Sequence, residues 1–183
     1  QKDTQLARTH NLIGVEELCD MADESGMMLK IEDGNICQNP FTFNQTYWDN
    51  VLKDEVDMVD AYKNHASVFI WSAGNENVWC FGHQGEKIRQ FAFKEMAKVA
   101  EAMEDADLMR RPVEWEADGD LGGRLKYHNL HYFKEIVRGA PVLPTDAWLG
   151  DMSKQPTLNY SICPVKLGEK PITTGESFWP RVP

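Results

Sequence analysis

The sequence predicts an α/β fold with parallel strands. Three observations carry that expectation. Short apolar runs alternate with longer segments whose apolar residues recur at helical spacing, giving strand, helix, strand, helix, strand, helix, strand. Polar residues gather just after the strands: Arg8, Glu32, Asn75, Glu76, Asp118, His131, Tyr132 and Glu176. In α/β folds ligands bind at that end, above all in the (β/α)8 barrel. A doubly wound sheet would want a Gly-rich phosphate turn after an early strand, and neither Gly-x-Gly-x-x-Gly nor Gly-x-x-x-x-Gly-Lys occurs.

The elements follow in order. Residues 5–8 read as the end of a strand. Val15, Leu18, Cys19 and Ala22 recur at helical spacing, and Gly26 closes that helix. Residues 27–32 form a short apolar run, hence a buried strand, ended by Asp33-Gly34. Residues 35–45 lack periodicity and read as a loop. Trp48, Val51, Leu52, Val56, Val59 and Tyr62 mark a second helical face. Residues 67–72 are the strongest strand, broken by Gly74-Asn75-Glu76-Asn77. Ile88, Phe91, Met96, Val99 and Met103 mark a helix over 86–105. Strands follow at 112–116 and 127–132. Residues 133–169 read as irregular with one helical turn, and 171–175 as a last strand. The segment from Asp118 to Arg124 is either an Asp-Gly turn or a loop that shapes a pocket.

Composition narrows the function. A chain of 183 residues with 42% hydrophobic side chains can bury a core, which excludes a wholly disordered protein. Lys and Arg number 19 against 29 Asp and Glu, a net charge of −10. The basic footprint of nucleic-acid binding is missing, and an anionic membrane surface is disfavoured for the same reason. No run approaches the roughly 20 apolar residues of a spanning helix. Cys19, Cys37, Cys80 and Cys163 show no Cys-x-x-Cys and no partner histidines at zinc spacing. Neither a metal site nor a disulfide framework is expected, and no cofactor motif is present. The compartment stays open.

Two carboxylates stand out. Glu76 and Glu176 each follow directly on an apolar strand. Glycoside hydrolysis needs two carboxyl groups flanking one bond, one protonated to release the leaving oxygen and one ionised. Strand ends hold such groups rigidly while leaving them open to a pocket. The alternative is that both are solvated loop residues.

The surrounding residues bear on that choice. Lys63-Asn64-His65-Ala66-Ser67-Val68-Phe69-Ile70-Trp71-Ser72-Ala73-Gly74-Asn75-Glu76 resembles the acid/base motif of glycoside hydrolase family 2. That is the group of β-galactosidases, β-glucuronidases and β-mannosidases. Lys63 and Ala66 stand where the family usually has Arg and Pro. Lys170-Pro171-Ile172-Thr173-Thr174-Gly175-Glu176 resembles its nucleophile strand, Arg8-Thr9-His10-Asn11 its second strand end, and Asn129-Leu130-His131-Tyr132 its sixth. The resemblance implies a retaining exo-glycosidase, β-galactosidase-like, that cleaves β-glycosidic bonds by double displacement. Glu76 would be the general acid/base and Glu176 the nucleophile. That role requires Glu76 to hold a proton near neutral pH. Asn75 would bind the sugar 2-hydroxyl, Tyr132 would donate to the nucleophile, and Arg8 would keep it ionised by charge. His10 and His131 would bind sugar hydroxyls or serve structure. Trp148 and Trp179 would stack on sugar faces or pack. The implied partner is a carbohydrate substrate, with no nucleic acid and no membrane.

The family's barrel has eight strands, and the matching order covers its second to seventh. Residues 1–183 are therefore expected to be part of a catalytic barrel domain, completed by the remainder of a parent chain. Residues 119–126 are too few for a normal helix between the fifth and sixth strands. Two other readings stay open: a clan A endo-glycanase, and a carbohydrate-binding barrel without chemistry.

Overall fold

The computed structural model describes residues 6–10, 15–34, 44–77, 85–131, 157–160, 163–166 and 170–176. In chain order these hold β1 (Leu6–Arg8), α1 (Glu16–Ser25), β2 (Met28–Glu32), α2 (Gln45–Tyr62), β3 (Val68–Asn75), α3 (Glu86–Ala106) and β4 (Val113–Glu116). β5 (His128–His131), β6 (Thr157–Tyr160), β7 (Cys163–Lys166) and β8 (Ile172–Glu176) follow. β1, β2, β3 and β4 pair in that order and all run parallel. β5 and β8 make a second parallel pair. The two groups are joined where Gly119 and Asn129 exchange backbone hydrogen bonds of 3.0 and 3.3 Å, and where the Ala117 N–H donates to Asn129 Oδ1 at 2.8 Å. The parallel strands thus follow one another as β1, β2, β3, β4, β5, β8, the order of successive staves in an incomplete (β/α)8 barrel. No helix among the described residues is long and apolar enough to cross a membrane.

Each helix turns one stripe inward. In α1, Cys19 and Ala22 are buried together with Val15 just before it, while Glu16 and Glu17 complement the dipole in the first turn. Leu18, placed on the inner face by spacing, is exposed. Burial first, then Asp23, Asp20 and Glu16, push the Cys19 thiol up to about 11, so it stays protonated. Asn44 caps α2, its side chain accepting from the N–H groups of Thr46 and Tyr47. The buried residues of α2 are Trp48, Val51, Glu55, Met58 and Val59, so the stripe is rotated from the predicted one and takes in a glutamate. α3 buries Phe93, Met96, Val99 and Met103, among others.

Strand alternation explains the sheet. Leu29 and Ile31 on β2, Trp71 and Ala73 on β3, and Val113 and Trp115 on β4 join the helix faces in one core. The buried indoles keep their hydrogen bonds: Trp71 Nε1 donates to Asp107 Oδ2 at 2.9 Å and Trp115 Nε1 to the Met96 carbonyl at 3.1 Å. Residues one step along, Lys30, Glu32, Ser72, Glu114 and Glu116, have the opposite sheet face as their side. They are buried as well. The barrel interior is therefore polar.

Three elements differ from expectation. β3 does not stop before Gly74 but runs on to Asn75, with a register shift between Ser72 and Asn75. Gly74 takes φ 146°, so the glycine that reads as a strand breaker instead accommodates a bulge. Within the stretch read as irregular, β6 and β7 form an antiparallel pair. Pro164 hides it in the sequence, yet both strands of a two-stranded ladder are edges and tolerate proline. Residues 117–127 join β4 to β5 through turns alone. There Asp120 accepts from the Gly123 N–H at 2.9 Å and from Lys170 Nζ at 2.7 Å, while Asp118 accepts from the Asn77 N–H at 3.1 Å. The Asp118–Arg124 segment is thus a braced turn, tied to the residue that follows Glu76.

Glu55 gives a first testable consequence. Its side chain is buried and neither carboxyl oxygen has a hydrogen-bond partner among the described residues. Burial first, then the charges of Asp33, Glu32 and Asp54, hold its pKa well above the ordinary 4.5. A raised carboxyl pKa leaves folding unpenalised below pH 4.5 and costs stability increasingly as pH rises above it. Glu55→Leu is expected to stabilise the protein by about 1–3 kcal/mol at pH 7.5, the usual cost of an unsatisfied buried polar group. The gain should shrink at pH 4. Urea denaturation at both pH values measures it, and a variant less stable than wild type at pH 7.5 would contradict the reading.

Candidate active site

The inward-facing polar residues form two layers. In the deeper one, Lys30 Nζ donates to Glu114 Oε2 at 2.9 Å and to Glu116 Oε1 at 2.6 Å. Glu114 also accepts from Asn129 Nδ2 at 2.9 Å and from Thr173 Oγ1 at 2.6 Å. Burial works to lower the Lys30 pKa, but the charges of Glu116 and Glu114 outweigh it and raise it, so the ammonium is retained.

The upper layer lies at the carboxyl ends of the strands. Arg8 from β1 donates through Nε and Nη2 to the two oxygens of Glu32 on β2, at 2.7 and 3.0 Å. Ser72 Oγ donates to the same carboxylate at 2.8 Å. Arg8 Nη2 also reaches Asn75 Oδ1 at 2.7 Å, which leaves Asn75 Nδ2 as the donor it offers a ligand. His10 Nδ1 lies 2.9 Å from Arg8 Nη2 and 3.0 Å from Glu32 Oε1, on the exposed side of this cluster.

Glu76 stands one residue beyond β3. Its backbone is in the left-handed region, φ 54°, which is strained for a residue with a side chain. Its N–H donates to the Glu116 carbonyl at 2.8 Å, which anchors that conformation to β4. The Glu76 carboxyl is partly exposed, and its Oε1 lies 2.9 Å from His131 Nδ1. The other ring nitrogen, Nε2, lies 3.3 Å from Glu116 Oε2. Burial works to raise the Glu116 pKa, but the His131 hydrogen bond and the charges of Lys30 and Arg8 prevail and bring it to about 2. On β8, a Cβ on Gly175 would sit 1.6 Å from Glu116 Oε2 and 2.5 Å from His131 Nε2. Only glycine lets the strand approach that pair.

The structure therefore gathers Arg8, His10, Asn75, Glu76 and His131 at one rim. It brings Glu176 there at the level of the backbone, in register with His131 across β5 and β8. The Glu176 side chain, Tyr132, Trp148 and Trp179 lie outside the described residues. His131 is fully buried, with Nδ1 2.9 Å from Glu76 Oε1 and Nε2 3.3 Å from Glu116 Oε2. Arg8 has Glu32, Asn75 and His10 as close described partners, and it lies 3.8 Å from Glu116. Sequence reasoning passed over Glu116 and Lys30. The alternation in Lys30-Ile31-Glu32 and Val113-Glu114-Trp115-Glu116 is the signal that points to them.

The parallel strands carry the carboxylates Glu32, Glu76 and Glu116 at or near their carboxyl ends. The family described as "Glycosyl hydrolases family 2, TIM barrel domain" matches residues 6–166, and the chain belongs to it. The match includes Glu76 and ends before Glu176. Among solved structures, Bacteroides uniformis β-glucuronidase 3 aligns over 69% of this chain and 16% of its own, with a TM-score of 0.58 and 16% identity. Ruminococcus gnavus β-glucuronidase aligns over 69% of this chain and 23% of its own, with a TM-score of 0.56 and 24% identity. The same enzyme in complex with C6-substituted uronic isofagomine gives 25% identity over 70% of this chain and 23% of its own, with a TM-score of 0.56. The chain thus spans under a quarter of the length of these structures. No curated protein matches it.

Proposed function

We propose that this chain is part of the catalytic barrel of a retaining, exo-acting β-glycosidase of the β-galactosidase-like kind, completed by the remainder of its parent protein. The observation that carries the reading is Glu76, held in a strained conformation at the barrel mouth with its carboxyl on His131. In the first step the Glu176 carboxylate attacks the anomeric carbon as the bond to the leaving oxygen breaks. The Glu76 proton passes to that oxygen. In the second step water gives a proton to Glu76 and its oxygen displaces Glu176 from the anomeric carbon. Asn75 Nδ2 would donate to the 2-hydroxyl, where a hydrogen bond strengthens in the transition state.

A uronate carboxylate wants a cation, and among the described residues the inward cations Arg8 and Lys30 are each engaged by carboxylates, which favours a neutral sugar. The second reading is a β-glucuronidase, favoured by the glucuronidase identity of the similar structures. The test is a panel of aryl β-galactoside, β-glucuronide, β-mannoside and β-glucosaminide with the complete protein, with the first-formed anomer read by proton NMR. The expected outcome is β-galactoside turnover with the β-anomer appearing first. Glucuronide turnover with the galactoside untouched would shift the assignment to the second reading. An α-anomer formed first, or no turnover at all, would overturn the retaining-glycosidase reading.

A further inference from the structure

We propose that Glu116 is a positioning residue for Glu76, acting through His131 by fixing which ring nitrogen carries the proton. The proposal rests on the reading of Glu76 as acid/base. The His131 ring is buried between two carboxyl groups, Nδ1 at 2.9 Å from Glu76 and Nε2 at 3.3 Å from Glu116. Glu76 comes from β3 and Glu116 from β4. Behind Glu116 stand Lys30 of β2 at 2.6 Å and Arg8 of β1 at 3.8 Å. Glu176 of β8 is the register neighbour of His131. With two cations and an imidazole around it, Glu116 is ionised, its pKa near 2, so it accepts hydrogen bonds and donates none.

The consequence is chemical. An imidazole facing an acceptor-only carboxylate places its N–H there, so Nε2 carries the hydrogen and Nδ1 of the neutral ring is an acceptor. In that tautomer Nδ1 can accept from the Glu76 carboxyl when that group carries the proton the first step consumes. After the proton has left for the glycosidic oxygen, the Nδ1 lone pair faces a carboxylate. That repulsion favours return of a proton from water in the second step, so the cycle closes with no proton unaccounted for. Gly175 fits the arrangement: its bare Cα lets β8 close on the Glu116–His131 contact, where any Cβ would clash.

Glu116→Gln tests it in the complete protein. A glutamine can turn its amide N–H2 toward Nε2, which moves the ring hydrogen to Nδ1 and stabilises ionised Glu76. The basic limb of the kcat/KM profile for an alkyl β-glycoside should move down by about one pH unit or more. Activated aryl glycosides, which need little protonation, should show a smaller change in the first step. Nitrogen-15 NMR of the histidine rings should report Nε2–H for His131 in wild type and Nδ1–H in the variant. Glu116→Asp keeps an ionised partner for Lys30 and withdraws it from Nε2, so a smaller shift of the same sign is expected. An unchanged basic limb and tautomer in both variants would overturn the proposal, as would an equal loss on all substrates with the profile unmoved. If wild type hydrolyses no glycoside, the acid/base reading falls, and the tautomer measurement alone decides whether Glu116 orients His131.

Discussion

Replacing Glu76 with alanine in the complete barrel is expected to slow glycosides with poor leaving groups by about 10²–10⁴-fold, the usual contribution of a general acid. Activated aryl glycosides should lose far less in the first step, because their leaving oxygen departs without a proton. Azide should then restore turnover by attacking the glycosyl-enzyme directly, giving a β-glycosyl azide. Glu176→Ala should abolish turnover on every substrate, since no covalent intermediate forms without the nucleophile. The two variants thus separate the two roles. Leaving-group dependence belongs to Glu76 and all-substrate loss to Glu176. A Glu76→Ala variant that lost equally on all substrates and did not respond to azide would count against its assignment. Backbone strain does not confuse the comparison, because alanine at position 76 inherits the same φ of 54°.

Much of this was legible in the sequence, for reasons that are physical. The alternation of apolar strands and amphipathic segments foretold the parallel order, because parallel neighbours need a crossover connection, usually a helix that packs on the face of the sheet. The residues after Trp71-Ser72 pointed to Glu76 because a strand end is where a rigid carboxyl can meet a pocket. What periodicity cannot see is a polar interior. Lys30 and Glu114 are 84 residues apart in the chain, and each alone looks like a solvent-facing strand residue. Only the barrel brings them within 2.9 Å and makes their burial tolerable. Glu55 was invisible for a related reason: reading the α2 stripe from its apolar residues rotates it away from a glutamate that shares it. Gly175 reads in sequence as the end of the last strand. Its purpose appears only when Glu116 and His131 are seen to occupy the space of its missing Cβ.

Lys30→Met is expected to destabilise the protein by about 3–5 kcal/mol at pH 7, the cost of removing one partner from a buried ion pair. Lys30 is only 3% exposed and sits between Glu114 and Glu116, so water cannot replace the ammonium. Glu114 keeps donors in Asn129 and Thr173. Glu116 keeps His131 and the more distant Arg8, and it bears most of the loss. The pH dependence separates this from simple loss of packing. In the wild type the Glu116 pKa lies at about 2, below the ordinary 4.5. Its contribution to stability is therefore fully present above pH 4.5 and is lost as pH falls toward 2. Without Lys30 the Glu116 carboxylate is held down less strongly, so it takes up its proton earlier and the remaining burial cost falls. The deficit of the variant should be greatest above pH 4.5 and narrow steadily toward pH 2. Urea denaturation followed by the fluorescence of buried Trp71 and Trp115 measures it across that range. The double variant Lys30→Met, Glu116→Gln should recover part of the loss at pH 7, since it no longer buries two carboxylates without the ammonium between them. A deficit that stays constant from pH 7 to pH 3, with no recovery in the double variant, would assign Lys30 to packing by its alkyl chain and remove the charge from the account.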